Sequence, residues 1–441
     1  MGLALSLGMN AMTTKTLQDE AKALAADLGI KANDAKGRVA LQHSQAVDFT
    51  GADWTVLNLG GGVDSVAIIL RLLVDGLEAH GLDPARTVIL MAQTGNEFPD
   101  LKELLEAHLL PMIARTGLRF VQVARCDSKS AANYTVLSDT TAPTEVFIGG
   151  EYQLRDEMLA AGTVPQSAGT RLCSIKSKGW PLDAWMAANI EGPYRHAIGF
   201  ECEELTRVLK DVAASDDENR RPWYPLVEWG WNRARCLDYI REITGAAWVK
   251  SACYFCPFAG QGLEKENLAE RWARFPELGA DALAMEYTAQ ALNPTQTLFG
   301  GRKKNSRGEL GAWDQNSAIR FAVDHGLDGV LAAYETNLDA VEWAVYRVRR
   351  AWTSNSTAAR SVEILASGTR SEIVAELEAI AAGRGVAVTT EAPGHSITRA
   401  VVSTKPESGK GAEELLVAAP ATADAKAGKG FEKAFAAALA A

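Results

Sequence analysis

The segment Trp54–Ser65 reads WTVLNLGGGVDS, and its chemistry lies in Gly60-Gly61-Gly62-Val63-Asp64-Ser65. An apolar run, Val56-Leu57-Asn58-Leu59, leads in, and a helical pattern over 66–73 leads out. A strand that breaks at three glycines and resumes as a helix is the outline of a phosphate cradle. Glycine lets the backbone approach an anion closely and take positive φ. The helix start adds unpaired N–H groups and a partial positive charge. The spacing is neither G-x-G-x-x-G nor a Walker A loop, which needs Gly-Lys-Ser/Thr. An ordinary strand–turn–helix junction is the alternative.

Four further segments carry reactive residue types. Thr94-Gly95-Asn96-Glu97-Phe98-Pro99-Asp100 follows an apolar run, with Pro99 suited to a first helical turn. Arg171-Leu172-Cys173-Ser174-Ile175-Lys176-Ser177-Lys178 gathers cations. Arginine grips phosphate or sulfate oxygens bidentately and lysine acts as a point charge, although a solvated basic helix start reads the same way. Gly199–Arg207 holds Glu204 and Arg207, which equally suit a surface ion pair at helical spacing. Cys253-Tyr254-Phe255-Cys256 brings two thiols to one point, as one metal or one edge of an iron–sulfur cluster requires. A dithiol redox pair and buried free thiols are its alternatives. Cys126 and Cys202 read as structural. The histidines do not cluster, and no Ser–His–Asp order or H-E-x-x-H motif is present. Trp223, Trp229, Trp231 and Trp248 suit a core or interface better than base stacking.

Together these segments resemble one family. Gly60–Ser65 resembles the PP-loop, SGGxDS, of ATP pyrophosphatases of the adenine nucleotide α-hydrolase type, with Gly60 where serine is usual. Residues 93–100 resemble the DTGxxFPET segment of the phosphoadenosine phosphosulfate (PAPS) reductase branch, with Gln93 where an acid is usual. Arg171–Lys178 with Pro181-Leu182 resembles its R-x-C-x-x-x-K…P-L element. Gly199–Arg207 loosely resembles its G-I-R-x-x-E-S-x-x-R region, with Glu201 where a basic residue is usual. The resemblance covers residues 50–260 and implies an α/β fold, a doubly wound parallel sheet of the adenine nucleotide α-hydrolase-like kind.

The resemblance also implies a chemistry. The family attacks the α-phosphate of ATP or a related nucleotide and releases pyrophosphate; alternatively the site binds an adenylylated, PAPS-type sulfur donor. Gly60, Gly61, Gly62 and Ser65 would cradle phosphates, and Asp64 would orient the loop or a Mg²⁺ ion. Arg171, Lys176 and Lys178 would neutralise the leaving group, while Thr94, Gly95, Glu204 and Arg207 would line the nucleotide site. Assimilatory adenylyl-sulfate reductases and sulfurtransferases of DNA phosphorothioation add a four-cysteine [4Fe–4S] cluster. The equivalent ligands here would be Cys173, Cys236, Cys253 and Cys256, with Zn²⁺ the alternative metal. No cysteine follows Cys256, so the reductases' C-terminal Glu-Cys-Gly-type nucleophile is missing. Two readings follow: a nucleotidyl- or sulfur-transferring enzyme acting on a nucleic acid or small metabolite, or a nucleotide-binding regulatory or structural module whose catalysis has decayed.

The elements that must hold these residues follow from pattern. Leu17, Ala21, Leu24, Ala25 and Leu28 share a helical face in a lead-in over 1–50. Alternating apolar strands and helices over 51–260, with strands at 87–93, 118–124 and 197–200, argue for a parallel sheet whose ligands sit beyond the strands' carboxyl ends. The stretch 128–166 is irregular and polar, as a lid would be. A mostly helical extension is expected over 261–355, interrupted by a basic loop at Arg302-Lys303-Lys304. A small α/β unit is expected over 356–404 and a disordered tail over 405–441, with a weak amphipathic helix at 431–439. The basic loop and Arg347, Arg349 and Arg350 are candidates to face nucleic acid, or are solvated surface.

The chain has 441 residues and a net charge of −10, which argues against coating nucleic acid non-specifically. No apolar run is long enough for a bilayer and no signal peptide is read, so no membrane partner is expected. Six cysteines in so long a chain fit a reducing, cytoplasmic compartment.

Overall fold

A computed structural model describes residues 14–29, 31–166, 171–214, 217–300, 316–352, 358–390, 394–404 and 411–439. The chain divides into two compact units: residues 1–152 with 174–251, and residues 153–173 with 252–441. Residues 252–260 fall in the second unit, and the helices of the lead-in fall in the first.

The first unit is built on six strands, β1 (Trp54–Asn58), β2 (Thr87–Gln93), β3 (Arg119–Arg125), β4 (Tyr134–Thr140), β5 (Tyr194–Ala197) and β6 (Arg220–Trp223). They lie in the order β4-β3-β2-β1-β5-β6, all parallel except β4, which runs antiparallel to β3 at the edge. The sheet is therefore mixed and mostly parallel. Strand β2, TVILMAQ, is buried at every position, as a strand covered on both faces must be. Leu57, Ile89, Met91 and Phe120 face one core with the helix Val63–Asp75. Val56, Val88, Leu90, Val121 and Val123 face another with Trp185 and Met186 of the helix Trp180–Asn189.

The helix from Pro99 to Thr116 widens into a π-turn at Leu105–Leu109. Pro111 supplies no N–H and its ring crowds the carbonyl four residues back, so the ladder is rerouted rather than broken. The lead-in forms two helices, Thr14–Leu28 and Ala32–Gln45. Leu17, Ala21, Val39 and Ala40 pack there against Val208, Leu209, Tyr224 and Val227. The lid expected at 128–166 is instead split. Tyr134–Thr140, half-buried except at Val136 and Asp139, pairs as the edge strand, while the helix Leu154–Ala161 belongs to the second unit.

The second unit carries an antiparallel sheet in the order β12-β8-β7-β11-β10-β9. Its strands are β7 (Trp343–Trp352), β8 (Ala358–Gly368), β9 (Val388–Thr390), β10 (Thr398–Ser403), β11 (Gly411–Pro420) and β12 (Lys426–Ala427). Two expectations are corrected here. Trp343–Trp352 is a strand, not the end of a helical extension; its aromatic and β-branched side chains suit a packed sheet. The disorder expected from 405 is corrected over the described residues 411–439, where β11 fills the centre of the sheet between β7 and β10. The run Leu415-Leu416-Val417 gives it the apolar surface that its Ala- and Gly-rich flanks lack. Phe431–Leu439 is helical, with Phe431 and Phe435 packed on Ala351 and Ala412.

Arg347, Arg349 and Arg350 project from β7 into ion pairs with Glu414, Glu432 and Glu413. Nearby, the buried Glu286 accepts hydrogen bonds from the amides of Leu298, Ala318 and Ile319 and faces His395 Nε2 at 2.8 Å. It thereby satisfies the start of the helix Ala318–Asp324. The basic loop Arg302–Lys304 lies outside the described residues. No helix among the described residues is long and apolar enough to cross a membrane.

Leu416 is fully buried in β11, so Leu416→Ala is expected to destabilise the second unit by about 2–5 kcal/mol in denaturant unfolding. A change within measurement error would return the tail to a peripheral role.

Candidate functional site

Strand order reverses at β1: β2 and β3 lie to one side of it, β5 and β6 to the other. In open α/β sheets the connections leave in opposite directions at such a point and open a crevice beyond the strand ends. The loop Gly60–Gly62 leaves β1 there, and Ile198–Glu204 leaves β5 beside it. A Cβ on Gly199 would sit 3.1 Å from Ser65 N and 3.3 Å from Asp64 Cβ, so a side chain there would press on the start of the helix.

The loop's carbonyls are tied back to the protein. Gly60 O accepts from Ser251 Oγ at 2.7 Å, and Gly61 O from the indole N–H of buried Trp248 at 3.0 Å. Gly62 O accepts from Val66 N at 3.1 Å and from Ser65 Oγ at 3.1 Å. Ser65 Oγ in turn accepts from Gly60 N at 3.2 Å, closing the loop on itself. Gly61 holds φ +71°, and Leu101 Cδ2 lies 3.0 Å from where its Cβ would be. Gly62 is the N-cap of the helix Val63–Asp75 and offers no side-chain cap. Among the described residues, the amides of Gly61, Gly62 and Val63 have no acceptor. Three successive N–H groups at a helix start make a candidate anion-binding nest.

A polar chain stands behind this nest. Ser251 Oγ also lies 2.8 Å from Glu97 Oε2, so its single proton faces two acceptors. Glu97 Oε1 accepts from Lys178 Nζ at 2.8 Å. Lys178 is thereby tied, through Glu97 and Ser251, to the loop, with its charge paired. Lys176 lies over the Trp180 ring at 5.5 Å. Thr94 Oγ1 accepts from Asn96 N, and Gly95, at φ +86°, donates its N–H to Ile148 O. Gln93 is turned into the core, where its amide donates to Gln122 Oε1 at 3.2 Å. Arg171 belongs to the second unit and stacks over Phe258 at 4.1 Å.

Asp64 opens the helix, with its side chain 22% exposed and Arg233 Nη1 3.7 Å from Oδ2. Its Oδ1 is buried without a hydrogen-bond donor, as is Oε2 of Glu204. Burial raises the Asp64 pKa, and Glu204 adds to the rise while Arg233 and Arg207 oppose it. Glu204 pairs with Arg207 at 2.6 Å, and Arg207 lies over Phe200. Glu201, where a basic residue was expected, accepts from the Arg233 amide and caps the helix Arg233–Thr244. The base of the crevice is fixed by His196, whose Nδ1 accepts from Arg220 Nε at 2.8 Å. Its Nε2 faces the Asn58 amide at 2.6 Å; with the amide oxygen toward the ring, that oxygen gains the donor it otherwise lacks. Burial and Arg220 hold His196 neutral, well below its ordinary pKa.

The four cysteines fall in different units. Cys236 is buried in the first unit's core, and burial with the Asp64 and Glu201 charges pushes its thiol up to about 12. Cys173, Cys253 and Cys256 belong to the second unit. Among the described residues no three Cys, His, Asp or Glu side chains converge as metal ligands. Trp223 and Trp248 are core residues, while Trp229 and Trp231 are half-buried beneath Arg71, which lies 4.2 and 4.7 Å from their rings.

Trp248, Ser251, Glu97, Gly199 and Arg233 all shape the site without having been singled out for it. Trp248 and Ser251 flank the region read for its cysteines, and Glu97 lies inside the Thr94–Asp100 segment. Only the fold could reveal their shared target.

Two outcomes are expected. Ser251→Ala leaves Gly60 O and Glu97 with one donor fewer and should cost about 1–3 kcal/mol in the first unit's unfolding. Asp64 is raised above its ordinary 3.8, so between the two values the folded state holds the extra proton and stability falls as pH rises. Asp64→Asn should therefore raise Tm at pH 7, with the gain shrinking as pH drops through the carboxylate range. A lower Tm for Asp64→Asn at pH 7 would contradict this.

Compared with protein-family models, with curated proteins and with solved structures, the chain matches none.

Proposed function

We propose that the first unit is a PP-loop domain of the PAPS reductase-like kind, with a doubly wound sheet. On this reading it binds ATP or an adenylylated sulfur donor and acts as a nucleotidyl- or sulfur-transferring enzyme. The observation that carries the reading is the nest at Gly61–Val63. Its carbonyls are bound behind the loop and its three amides lack acceptors, at the start of a 13-residue helix and at the reversal of strand order. Such a nest suits the oxygens of a polyphosphate.

The residues also suit a divalent cation. Asp64 Oδ1 and Glu204 Oε2 are buried oxygens without donors, the kind that Mg²⁺ accepts. Bound there, Mg²⁺ would offset phosphate charge during transfer. Asp64 is partly desolvated, so it holds its charge at a cost that a cation relieves. Arg233 and Arg207 bring positive charge to the same side of the loop. Lys178, held by Glu97, gains a free ammonium only when a phosphate competes for it. No step here passes through a four-cysteine cluster.

The second reading, a nucleotide-binding module without turnover, is favoured by two departures. Gln93 faces Gln122 rather than the crevice, and Gly60 contributes no hydroxyl. Pyrophosphate release from ATP, assayed across nucleic-acid and small-molecule acceptors, separates the two. The enzyme reading expects release with an acceptor and a loss of at least about a hundredfold in Asp64→Ala, a scale typical of an electrostatic catalytic group. ATP binding without turnover on any acceptor supports the module. Failure to bind adenine nucleotides at all contradicts both.

A further inference from the structure

The Cys253/Cys256 pair belongs to the second unit, and among the described residues it is not part of a group of three or more Cys, His, Asp or Glu side chains placed to hold a metal. Its geometry is specific. Cys256 N donates to Cys253 O at 2.9 Å, closing a β-turn with Tyr254 and Phe255 at its centre. Such a turn brings its end Cα atoms within about 7 Å, the span a disulfide bridges.

The turn is clamped by its central residues. Phe255 is fully buried against Tyr254, with ring centroids 4.8 Å apart. The Tyr254 hydroxyl donates to Asp281 Oδ2 at 2.6 Å, and the Tyr254 carbonyl accepts from Trp272 Nε1 at 3.0 Å. Asp281 is itself held by a bidentate pair with Arg155. Ala259 N donates to Cys256 O at 3.0 Å, fixing the far side of the turn. Two buried aromatics therefore anchor the middle while the cysteines stand at its ends, both half-buried and so reachable from solvent. Cys236, by contrast, is sealed in a core.

We infer that Cys253 and Cys256 form a reversible dithiol–disulfide pair, oxidised by a peroxide and reduced by a dithiol. The first thiolate attacks a peroxide oxygen, giving a sulfenic acid and, with one proton, water. The second sulfur then attacks the sulfenic sulfur; the S–S bond forms and the hydroxyl leaves as a second water. Two thiols lose two electrons and two protons, and hydrogen peroxide becomes two waters. A preset turn favours this over intermolecular bonding because the resolving thiol is already within reach. The inference does not depend on nucleotide binding by the first unit.

The test uses the full chain, purified anaerobically, exposed to hydrogen peroxide, then alkylated and mapped by mass spectrometry. The expected result is loss of two of the six alkylatable cysteines, with a two-hydrogen mass deficit on the peptide holding Cys253 and Cys256. Dithiothreitol should restore both. In Cys253→Ser the deficit should vanish and Cys256 should instead gain oxygen; if that variant does not fold, the mapping of the unaltered chain decides alone. Three results overturn the inference: both cysteines alkylating fully after peroxide, a linkage between other cysteines, or stoichiometric iron or zinc whose chelation alone unmasks the pair.

Discussion

The Trp248 indole bond to Gly61 O, with the Ser251 bond to Gly60 O, is the interaction on which the site depends. A peptide unit is rigid, so turning a carbonyl inward turns the following N–H outward. Binding the carbonyls of Gly60 and Gly61 therefore presents the amides of Gly61 and Gly62 toward the crevice. Both donors come from a segment nearly two hundred residues downstream in the same unit. They act only because the sheet places the end of β1 where that segment passes. Without them the triglycine loop would have many conformations, and ordering them on binding would cost affinity.

The same economy governs the charges. Lys178 is held by Glu97, Arg207 by Glu204, and Asp64 is left with one lone buried oxygen. Each group is partly compensated within the protein. Each still has capacity that a polyphosphate and a cation would use. Asp64 is the exception that costs stability when ionised, the pattern expected where a functional group is kept in a less favourable environment. His196 contributes the opposite behaviour: neutral and hydrogen-bonded through both nitrogens, it joins β1 to β5 beneath the loop without adding charge.

Much of the first unit was legible in the sequence because its signals are local. Three glycines after an apolar run, and a helical period after them, define the strand, the loop and the helix start. The period and burial of Thr87–Gln93 did the same for β2. What was not legible depended on distant partners. Nothing near Gly199 announces its close approach to Asp64, and nothing near Gln93 announces Gln122. The tail misled because β11 carries its apolar run inside Ala-, Gly- and Lys-rich surroundings, and only pairing with β7 and β10 makes it a strand. Trp343–Trp352 misled because its arginines suggest a solvated surface, yet they are met by glutamates of β11 and of the helix beyond it.

The central claim is that the outward amides of Gly61, Gly62 and Val63 receive phosphate oxygens. A crystal structure of the full chain with a non-hydrolysable ATP analogue and Mg²⁺ measures this directly. The account predicts phosphate oxygens within hydrogen-bond distance of those three amides, with the Trp248 and Ser251 bonds to the loop carbonyls intact. A nucleotide bound elsewhere, or a loop whose carbonyls have turned outward, would contradict it.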